Sequence, residues 1–193
     1  MSKISDKSKR AVEIKKIGWN GVRKSQLFKS VYDEYCHKVY RLCCTFCRAE
    51  DDRRDLMQNI FLNVWKNLRS FEGRSHISTW IYRIAMNTAI TFAQKNRREQ
   101  NRFTQLNETA FEYSDPAPSA ADSLEVRQTT EILFDAIRQL NETDRIIISL
   151  YLEEEPRREI AAVTGLTEKH VGVKIYRIKE KLAQLLKGGP DEY

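Results

Sequence analysis

The sequence predicts an all-α protein made of two small helical domains joined by a flexible linker. Gly and Pro are few, seven and four in 193 residues, and they cluster between segments with helical periodicity. Apolar residues recur at three- and four-residue spacing, and no segment keeps the alternation of a strand. Residues 99–122 are acidic and rich in Pro, Ala and Ser, which is typical of a linker between two groups of helices.

Three helices are predicted in the first domain, residues 26–98, which follows a basic tail at residues 1–25. The helices cover about residues 26–48, 52–69 and 78–98, and Ser78 or Thr79 is the predicted cap of the third. The apolar stripe of the first helix runs along the residues Phe28, Val31, Tyr35, Val39, Leu42 and Phe46. Such a stripe is expected to face the core of a small helical domain.

The second domain, residues 123–187, is predicted to contain the remaining helices, before a short tail at residues 188–193. Its helix starts carry capping patterns, at Ser119 with Asp122 and at Asn141 with Asp144. Gly165 suits the left-handed end of one helix, and Thr167 suits the start of the next. We therefore expect a helix, a tight turn and a final helix near the carboxyl end.

Charge is unevenly distributed over a net value of +6. Basic residues exceed acidic ones up to residue 98, and acidic residues are in excess after it. The asymmetry indicates a polyanionic partner for the first domain, although a solvated charged surface has the same pattern. The longest apolar runs, such as IIISLYL, are too short for a membrane span, and the start does not resemble a signal peptide. The sequence therefore predicts a cytoplasmic protein without membrane insertion.

Four cysteines, Cys36, Cys43, Cys44 and Cys47, lie within one predicted helix. At a rise of ~1.5 Å per residue, Cys36 and Cys47 would stand about 16 Å apart, which is too far for one metal ion. We interpret Cys36, Cys43 and Cys47 as small hydrophobic residues at the edge of the buried stripe, and Cys44 as an exposed thiol. No metal or other cofactor is predicted.

A helix-turn-helix is indicated by the segment REIAAVTGLTEKHVGVKIYRIKEKL. This motif needs a small residue where its helices touch, a turn that Gly permits and an apolar residue in the second helix, here Ala161, Gly165 and Val171. The outward residues of that second helix would be Glu168, Lys169, His170, Val173, Lys174 and Arg177. They suit base edges and phosphates, although an ordinary helical corner has a similar pattern.

Two helix faces of the first domain carry residues that the core does not need. Met57, Ile60, Phe61, Val64, Trp65 and Leu68 form the core face of the second helix, whereas Leu62 stands among the polar residues Asp55, Gln58, Asn59 and Lys66. An isolated exposed leucine is ordinary, but it also marks partner surfaces. On the third helix the buried stripe is Ile81, Ile84, Ala85, Thr88 and Phe92, beside a row of Trp80, Arg83 and Asn87. That row suits unpaired bases, unless Trp80 only packs at the domain edge.

Two segments together resemble a known family. DLMQNIFLNVWKNLRSFEGRSHISTWIYRIAMNTAI resembles the second conserved region of bacterial sigma factors, and LNETDRIIISLYLEEEPRREIAAVTGLTEKHVGVKIYRIKEKL resembles the fourth. The short connection between them is similar to that of the compact extracytoplasmic-function group. The resemblance covers about residues 26–187 and implies a non-enzymatic factor that binds core RNA polymerase and promoter DNA.

The resemblance also implies roles for individual residues. Contacts with the clamp helices of the polymerase β′ subunit would involve Asp55, Gln58, Asn59 and Leu62, and the second domain would meet the β flap. Capture of the melted minus-ten element would involve Phe71, Glu72, Arg74, Ser75, His76, Trp80, Arg83 and Asn87. The outward residues of the last helix would read the minus-thirty-five element. An anti-sigma factor is a further expected partner.

Two alternatives differ in class from this interpretation. The first is a helix-turn-helix regulator that binds duplex DNA without polymerase, and the second is a redox or metal sensor built on the four cysteines. The chain also departs from the family pattern. Gly172 stands where a basic residue is common, and Pro156 replaces a small hydroxyl residue.

Overall fold

The computed structural model describes residues 21–103 and 124–187, and these two ranges are helical almost throughout. They contain the helices α1 (Gly21–Cys44), α2 (Glu50–Asn67), α3 (Ile77–Phe103), α4 (Leu124–Arg138), α5 (Glu142–Leu152), α6 (Arg157–Thr164) and α7 (Glu168–Lys187). A short 3-10 helix, Leu68–Ser70, follows α2. Neither range contains a strand, so the all-α prediction is confirmed. No helix in the two ranges is long and apolar enough to cross a bilayer.

Helices α1, α2 and α3 pack together as the front unit. The predicted stripe of α1 supplies Val31, Tyr35 and Val39 to its core, and all three are buried. α2 contributes Ile60 and Val64 from the predicted core face. Leu56, which the predicted stripe omits, is fully buried as well. Helical periodicity therefore identified the packing faces with small errors at their edges.

Helices α4 to α7 form the rear unit, and its core is rich in isoleucine. Asn141 caps α5 as predicted, since its side-chain oxygen accepts a hydrogen bond from the backbone nitrogen of Asp144 at 2.9 Å. Satisfying one free N–H at a helix start in this way contributes about 1 kcal/mol. Residues Ser119 and Asp122, the other predicted capping pair, lie outside the described residues.

The helix-turn-helix geometry is present at the end of the rear unit. Gly165 ends α6 with a φ of 75°, the left-handed conformation that favours glycine. The Thr167 hydroxyl accepts a hydrogen bond from the backbone nitrogen of His170 at 3.3 Å, at the start of α7. Ala161 and Val171 are buried between the helices. Each predicted element of the motif is therefore in place.

Several predicted helix limits are wrong. α1 covers Gly21–Cys44 rather than residues 26–48, because backbone bonds from Thr45 to Leu42 and from Phe46 to Cys43 close it with a tight turn. α3 begins at Ile77, so the predicted caps Ser78 and Thr79 lie inside the helix. The same helix continues to Phe103, into the predicted linker.

The front and rear units pack against each other, and their buried apolar residues form one continuous core. α3 lies on α6, and α1 lies on α5. Glu131 of α4 accepts hydrogen bonds from two arginines, Arg53 of α2 at 3.1 Å and Arg138 of its own helix at 3.3 Å. Within the described residues, every buried side-chain nitrogen or oxygen has a partner.

This packing overturns the prediction that Cys44 is an exposed thiol. Cys44 points away from the apolar stripe of α1, but its side chain is only 3% exposed. The Arg138 guanidinium of α4 reaches the Cys44 carbonyl at 2.5 Å, so the rear unit covers this side of α1. Periodicity could not reveal this, because the covering helix belongs to the other unit.

Candidate polymerase and promoter interfaces

The predicted polymerase-docking face lies on the solvent side of α2. Its three polar members are exposed, and Leu62 is 45% exposed beside them. Glu50, Asp51 and Asp52 in the first turn of α2 complement the helix dipole. The face therefore presents to solvent one apolar side chain surrounded by polar ones.

An apolar groove of about 370 Å³ adjoins this face. Aromatic rings from α1 and α2 line it, with Tyr32 and Phe61 centroids 4.8 Å apart and Phe28 and Trp65 centroids 5.1 Å apart. Leu62 stands at the groove, and Tyr32 is 41% exposed. The sequence analysis did not assign Tyr32 to a site. Its position one turn from Phe28 on the edge of the stripe was the available signal.

The predicted minus-ten loop runs from Phe71 to Ile77, and its residues 71–76 connect the 3-10 helix to α3. Gly73 turns the chain with a φ of 67°. Arg74 and Glu72 form an exposed ion pair at 2.5 Å. The Phe71 ring packs against Trp80 with a centroid distance of 5.3 Å. The structure thus brings the loop and the first turn of α3 together as one surface.

The three residues of the predicted row on α3, Trp80, Arg83 and Asn87, differ in exposure and in their contacts. Trp80 is half-buried through its packing on Phe71, whereas Arg83 and Asn87 are exposed. The Arg83 guanidinium donates two hydrogen bonds to the Ala162 carbonyl of α6, at 2.8 and 2.5 Å. Within the described residues, Asn87 is therefore the member of this row that is exposed and has no side-chain hydrogen bond to α6.

The predicted recognition residues of α7 form an exposed surface with one exception. Glu168, Lys169, His170, Val173 and Arg177 are exposed. Lys174 instead is half-buried, and its ammonium group lies 2.7 Å from the carboxylate of Asp144 at the start of α5. Five of the six side chains are thus presented to solvent, and Lys174 is held by an ion pair.

The two departures from the family pattern fit the helix-turn-helix without distortion. A Cβ atom at Gly172 would lie 3.5 Å from the Arg157 guanidinium, an ordinary van der Waals distance. Pro156 immediately precedes α6 with an extended ψ of 146°, where its missing N–H costs no helical hydrogen bond. A larger side chain could therefore be accommodated at position 172, and proline is compatible with the backbone at position 156.

Polar residues between the two units were missed by the sequence analysis. Arg41 of α1 donates to both carboxylate oxygens of Glu153, at 2.5 and 2.7 Å, and Lys38 lies 3.4 Å from Glu155. Hydrogen bonding to Glu153 raises the pKa of Arg41. The acidic run that follows α5 and the basic character of the front half were the signals that could have suggested this contact.

The cysteine cluster has the environment of a packed core. Burial raises the pKa of Cys44 to about 11 and that of Cys47 to about 12. In the two described ranges, no group of three His, Cys, Asp or Glu side chains is arranged to hold a metal ion. The reactive low-pKa environment of a thiol sensor is therefore missing at Cys44 and Cys47.

Comparison with family models matches both halves of the chain. Residues 31–99 match the model of sigma-70 region 2, which coincides with most of the front unit. Residues 130–182 match the model of sigma-70 region 4, which includes the helix-turn-helix. The two regions occur in the order that the resemblance implied.

Full-length relatives show the same relationship. The chain is 30% identical to the ECF RNA polymerase sigma-E factor of Escherichia coli K12, over 80% of this chain and 84% of that protein. It is 27% identical to the ECF RNA polymerase sigma factor SigW of Bacillus subtilis, over 83% of this chain and 89% of the relative.

Solved structures share the fold. CnrH, determined in complex with the cytosolic domain of CnrY, has a TM-score of 0.63 and 20% identity over 93% of this chain and 96% of its own. RpoE of Bartonella quintana, determined with the anti-sigma factor NepR, has a TM-score of 0.61 and 20% identity over 84% of this chain and 99% of its own. Taken with the matches to both sigma regions, these relationships place the chain in the ECF family of RNA polymerase sigma factors, which are transcription initiation factors.

Proposed function

We propose that three surfaces of the chain divide the work of transcription initiation. The α2 face with Asp55, Gln58, Asn59 and Leu62 docks on the β′ clamp helices of core polymerase. Residues 71–76 and the α3 row capture the melted non-template strand at the minus-ten element. The exposed side of α7 reads the minus-thirty-five element, and the rear unit meets the β flap.

The exposure of Leu62 is the observation that carries the docking assignment. A leucine that is 45% exposed beside an apolar groove presents surface that a partner's side chain can bury. A helix-turn-helix regulator working alone needs no such surface on a separate unit. The matches to both sigma regions likewise favour neither that regulator nor a cysteine-based sensor.

Binding energy drives the proposed strand capture, because a sigma factor is a transcription factor rather than an enzyme. Each base that stacks on an aromatic side chain such as Trp80 returns about 1–3 kcal/mol. This offsets the few kcal/mol needed to unstack a base from the duplex. The exposed amide of Asn87 suits a base edge, which becomes fully accessible in the melted strand.

The docking assignment is tested with the double variant Asn59→Ala/Leu62→Glu. We expect its affinity for core polymerase to fall at least about tenfold, because a charge replaces the apolar anchor of the contact. The measurement is a binding titration of labelled protein with core polymerase. Circular dichroism and thermal unfolding of the isolated variant check that it stays folded.

Two variants on the same helix serve as matched controls. Leu62→Met keeps an apolar side chain, and Asn67→Ala changes the same residue type as Asn59 at another exposed position. Both should bind polymerase like the wild-type protein. Wild-type affinity in a folded Asn59→Ala/Leu62→Glu variant would remove the docking role from this face.

An anti-sigma factor is part of the proposed partner set. Both solved structures compared above are complexes, and NepR is the anti-sigma factor bound to RpoE in one of them. For this chain we propose a protein inhibitor of the same functional class.

A further inference from the structure

We propose that a polar cleft between the front and rear units binds a small phosphorylated molecule of the nucleotide class. The cleft has a volume of about 780 Å³, which is within the range of roughly 300–1,000 Å³ that small-molecule sites have. The turn after α1, the second half of α3 and the turn between α4 and α5 form most of its walls. None of the residues proposed to contact polymerase or DNA lines it, so binding there would be a separate property of the chain.

Arginines supply most of the charge in this cleft. The charged residues that line it are Arg48, Arg97, Arg138, Arg145, Asp52 and Glu142. Two of the four arginines already have a carboxylate partner in α4, because Arg138 bonds to Asp135 at 2.8 Å and Arg48 lies 3.4 Å from the same residue. The other two, Arg97 and Arg145, form no ion pair with any acid of residues 21–103 and 124–187. These two cations therefore give the cleft a net attraction for an anion.

Arg145 is held in place for such a contact. Its guanidinium donates hydrogen bonds to the backbone carbonyls of Leu140 and Arg138. The same group lies over the ring of Phe46, with its Cζ atom 5.5 Å from the ring centroid. Because these contacts fix the guanidinium without neutralising its charge, an anion would meet a cation that is already oriented.

The charges around Arg145 also favour an added anion. Burial lowers the pKa of Arg145, and Glu142 opposes this effect, whereas the charges of Arg138 and Arg97 strengthen it. Like charges thus stand close enough to repel one another across the cleft. A phosphate group would relieve this repulsion, and its oxygens accept the paired hydrogen bonds that guanidinium groups donate.

The uncharged lining suits the rest of a nucleotide. Asn96 of α3 and Gln139 after α4 bring side-chain amides to the cleft, and amides form paired hydrogen bonds with base edges. The half-buried rings of Phe46 and Phe92 line it as well, and aromatic rings favour contact with other planar groups. A nucleotide combines the phosphates, the polar edge and the planar ring that these residues can bind.

Calorimetric titration of the full chain tests the site, with ATP, GTP, pyrophosphate and adenosine as probes in a buffer free of phosphate and magnesium. We expect ATP or GTP to bind with a Kd of about 100 µM or lower, pyrophosphate at least about tenfold more weakly, and adenosine more weakly still. A Kd above about 1 mM for both nucleotides would overturn the proposal. Pyrophosphate that binds as tightly as the nucleotides would also overturn it, because the base would then contribute nothing.

A charge series at position 97 shows whether the nucleotide is bound in the cleft. Arg97 is exposed, so its replacement should leave the fold intact, which circular dichroism would check. Arg97→Gln should weaken nucleotide binding about fivefold or more, Arg97→Glu should weaken it further, and Arg97→Lys should weaken it least. Arg98→Gln is the matched control, because Arg98 is an exposed arginine of the same helix that does not line the cleft. Equal losses in Arg97→Gln and Arg98→Gln would assign binding to diffuse surface charge and overturn the proposal.

A change of opposite sign provides an independent measurement. Asp52→Asn removes one of the two carboxylates of the cleft, so it should strengthen nucleotide binding about two- to threefold. Weaker or unchanged binding in this variant would contradict an anion site here. Because the titrations contain neither polymerase nor DNA, their outcome does not depend on the proposed role in initiation.

Discussion

At the scale of single residues, burial decides how the cysteines at the end of α1 and just after it behave. Burial raises the pKa of Cys44 to about 11 and that of Cys47 to about 12, and burial also raises the pKa of Cys43. A higher pKa leaves less thiolate at any given pH, and the thiolate is the reactive form. With a pKa near 11, about one Cys44 thiol in a thousand is ionised at pH 8.

We therefore predict that Cys36, the half-buried cysteine, reacts first with iodoacetamide at pH 8 and that the other three react slowly. Peptide mapping of the alkylated protein over time would give the order, and urea-unfolded protein should react at all four positions. Rapid modification of Cys44 in the folded protein would show that α4 does not cover it.

Glu154 is a residue whose backbone conformation suits another amino acid better. α5 ends in a Schellman-type turn, in which the backbone nitrogen of Glu155 bonds to the carbonyl of Leu150 and that of Glu154 bonds to the carbonyl of Tyr151. This turn places Glu154 at a φ of 58°. Residues other than Gly and Asn are disfavoured in this left-handed conformation, because their Cβ atom crowds the backbone.

We predict that Glu154→Gly raises the free energy of unfolding by about 1 kcal/mol, since glycine removes the Cβ conflict. Urea denaturation of the full chain would measure the gain. Glu154→Ala is the control, because it removes the same charge and keeps the Cβ atom, and it should give little or no stabilisation. Equal gains in the two variants would assign the effect to charge within the acidic run.

At the scale of elements, α7 separates two basic residues that the sequence treats alike. Both Lys174 and Arg177 belong to the predicted outward face, but only Arg177 is exposed. Lys174 must leave its 2.7 Å ion pair with Asp144 before it can reach a phosphate. The cost of breaking this pair offsets part of what a phosphate contact by Lys174 would contribute.

We predict that Arg177→Ala weakens binding to the minus-thirty-five duplex more than Lys174→Ala does, by about 1 kcal/mol or more. Loss of a phosphate contact by Arg177 should also lower the slope of log K against log salt by about one. Fluorescence anisotropy over a salt series measures both quantities. Lys187→Ala, at the far end of the same helix, is the control. An Arg177→Ala variant with wild-type affinity and slope would place the DNA contact elsewhere on α7.

Element by element, the sequence was sufficient for the interior of each unit. The stripes of α1 and α2, the Asn141 cap and the Gly165 turn all depend on residues close in sequence, and the structure contains each of them. Helix ends were less predictable. Ser78 and Thr79 have cap chemistry, but α3 already begins at Ile77, and the buried Thr79 hydroxyl bonds to Glu159 instead.

At the scale of the whole molecule, the contact between units is what the sequence did not predict. Periodicity tells which face of a helix is polar, but it does not tell which distant polar residue will meet that face. Arg83 was correctly placed on the exposed side of α3, yet its partner is a backbone carbonyl 79 positions away. A carbonyl acceptor is present at every residue, so no side-chain pattern could have identified it.

The last prediction concerns strand capture, which involves the whole molecule because melted DNA must be present and polymerase must be bound. Trp80→Ala and Asn87→Ala should impair promoter opening more than formation of the closed complex. An indole suits the face of an unstacked base and an amide suits its free edge, and a paired duplex offers neither in full. Permanganate reactivity of unpaired thymines would measure opening, and Gln94→Ala, an exposed amide farther along α3, is the control.

A template that already contains an unpaired bubble at the minus-ten element separates this explanation from a general defect. Both variants should recover much of their activity there, because the template supplies the open state that the lost contacts would have stabilised. An equal loss on duplex and bubble templates would indicate misfolding or failed polymerase docking. Full activity of both variants on duplex DNA would leave Trp80 with its packing against Phe71, and Asn87 with no role in opening.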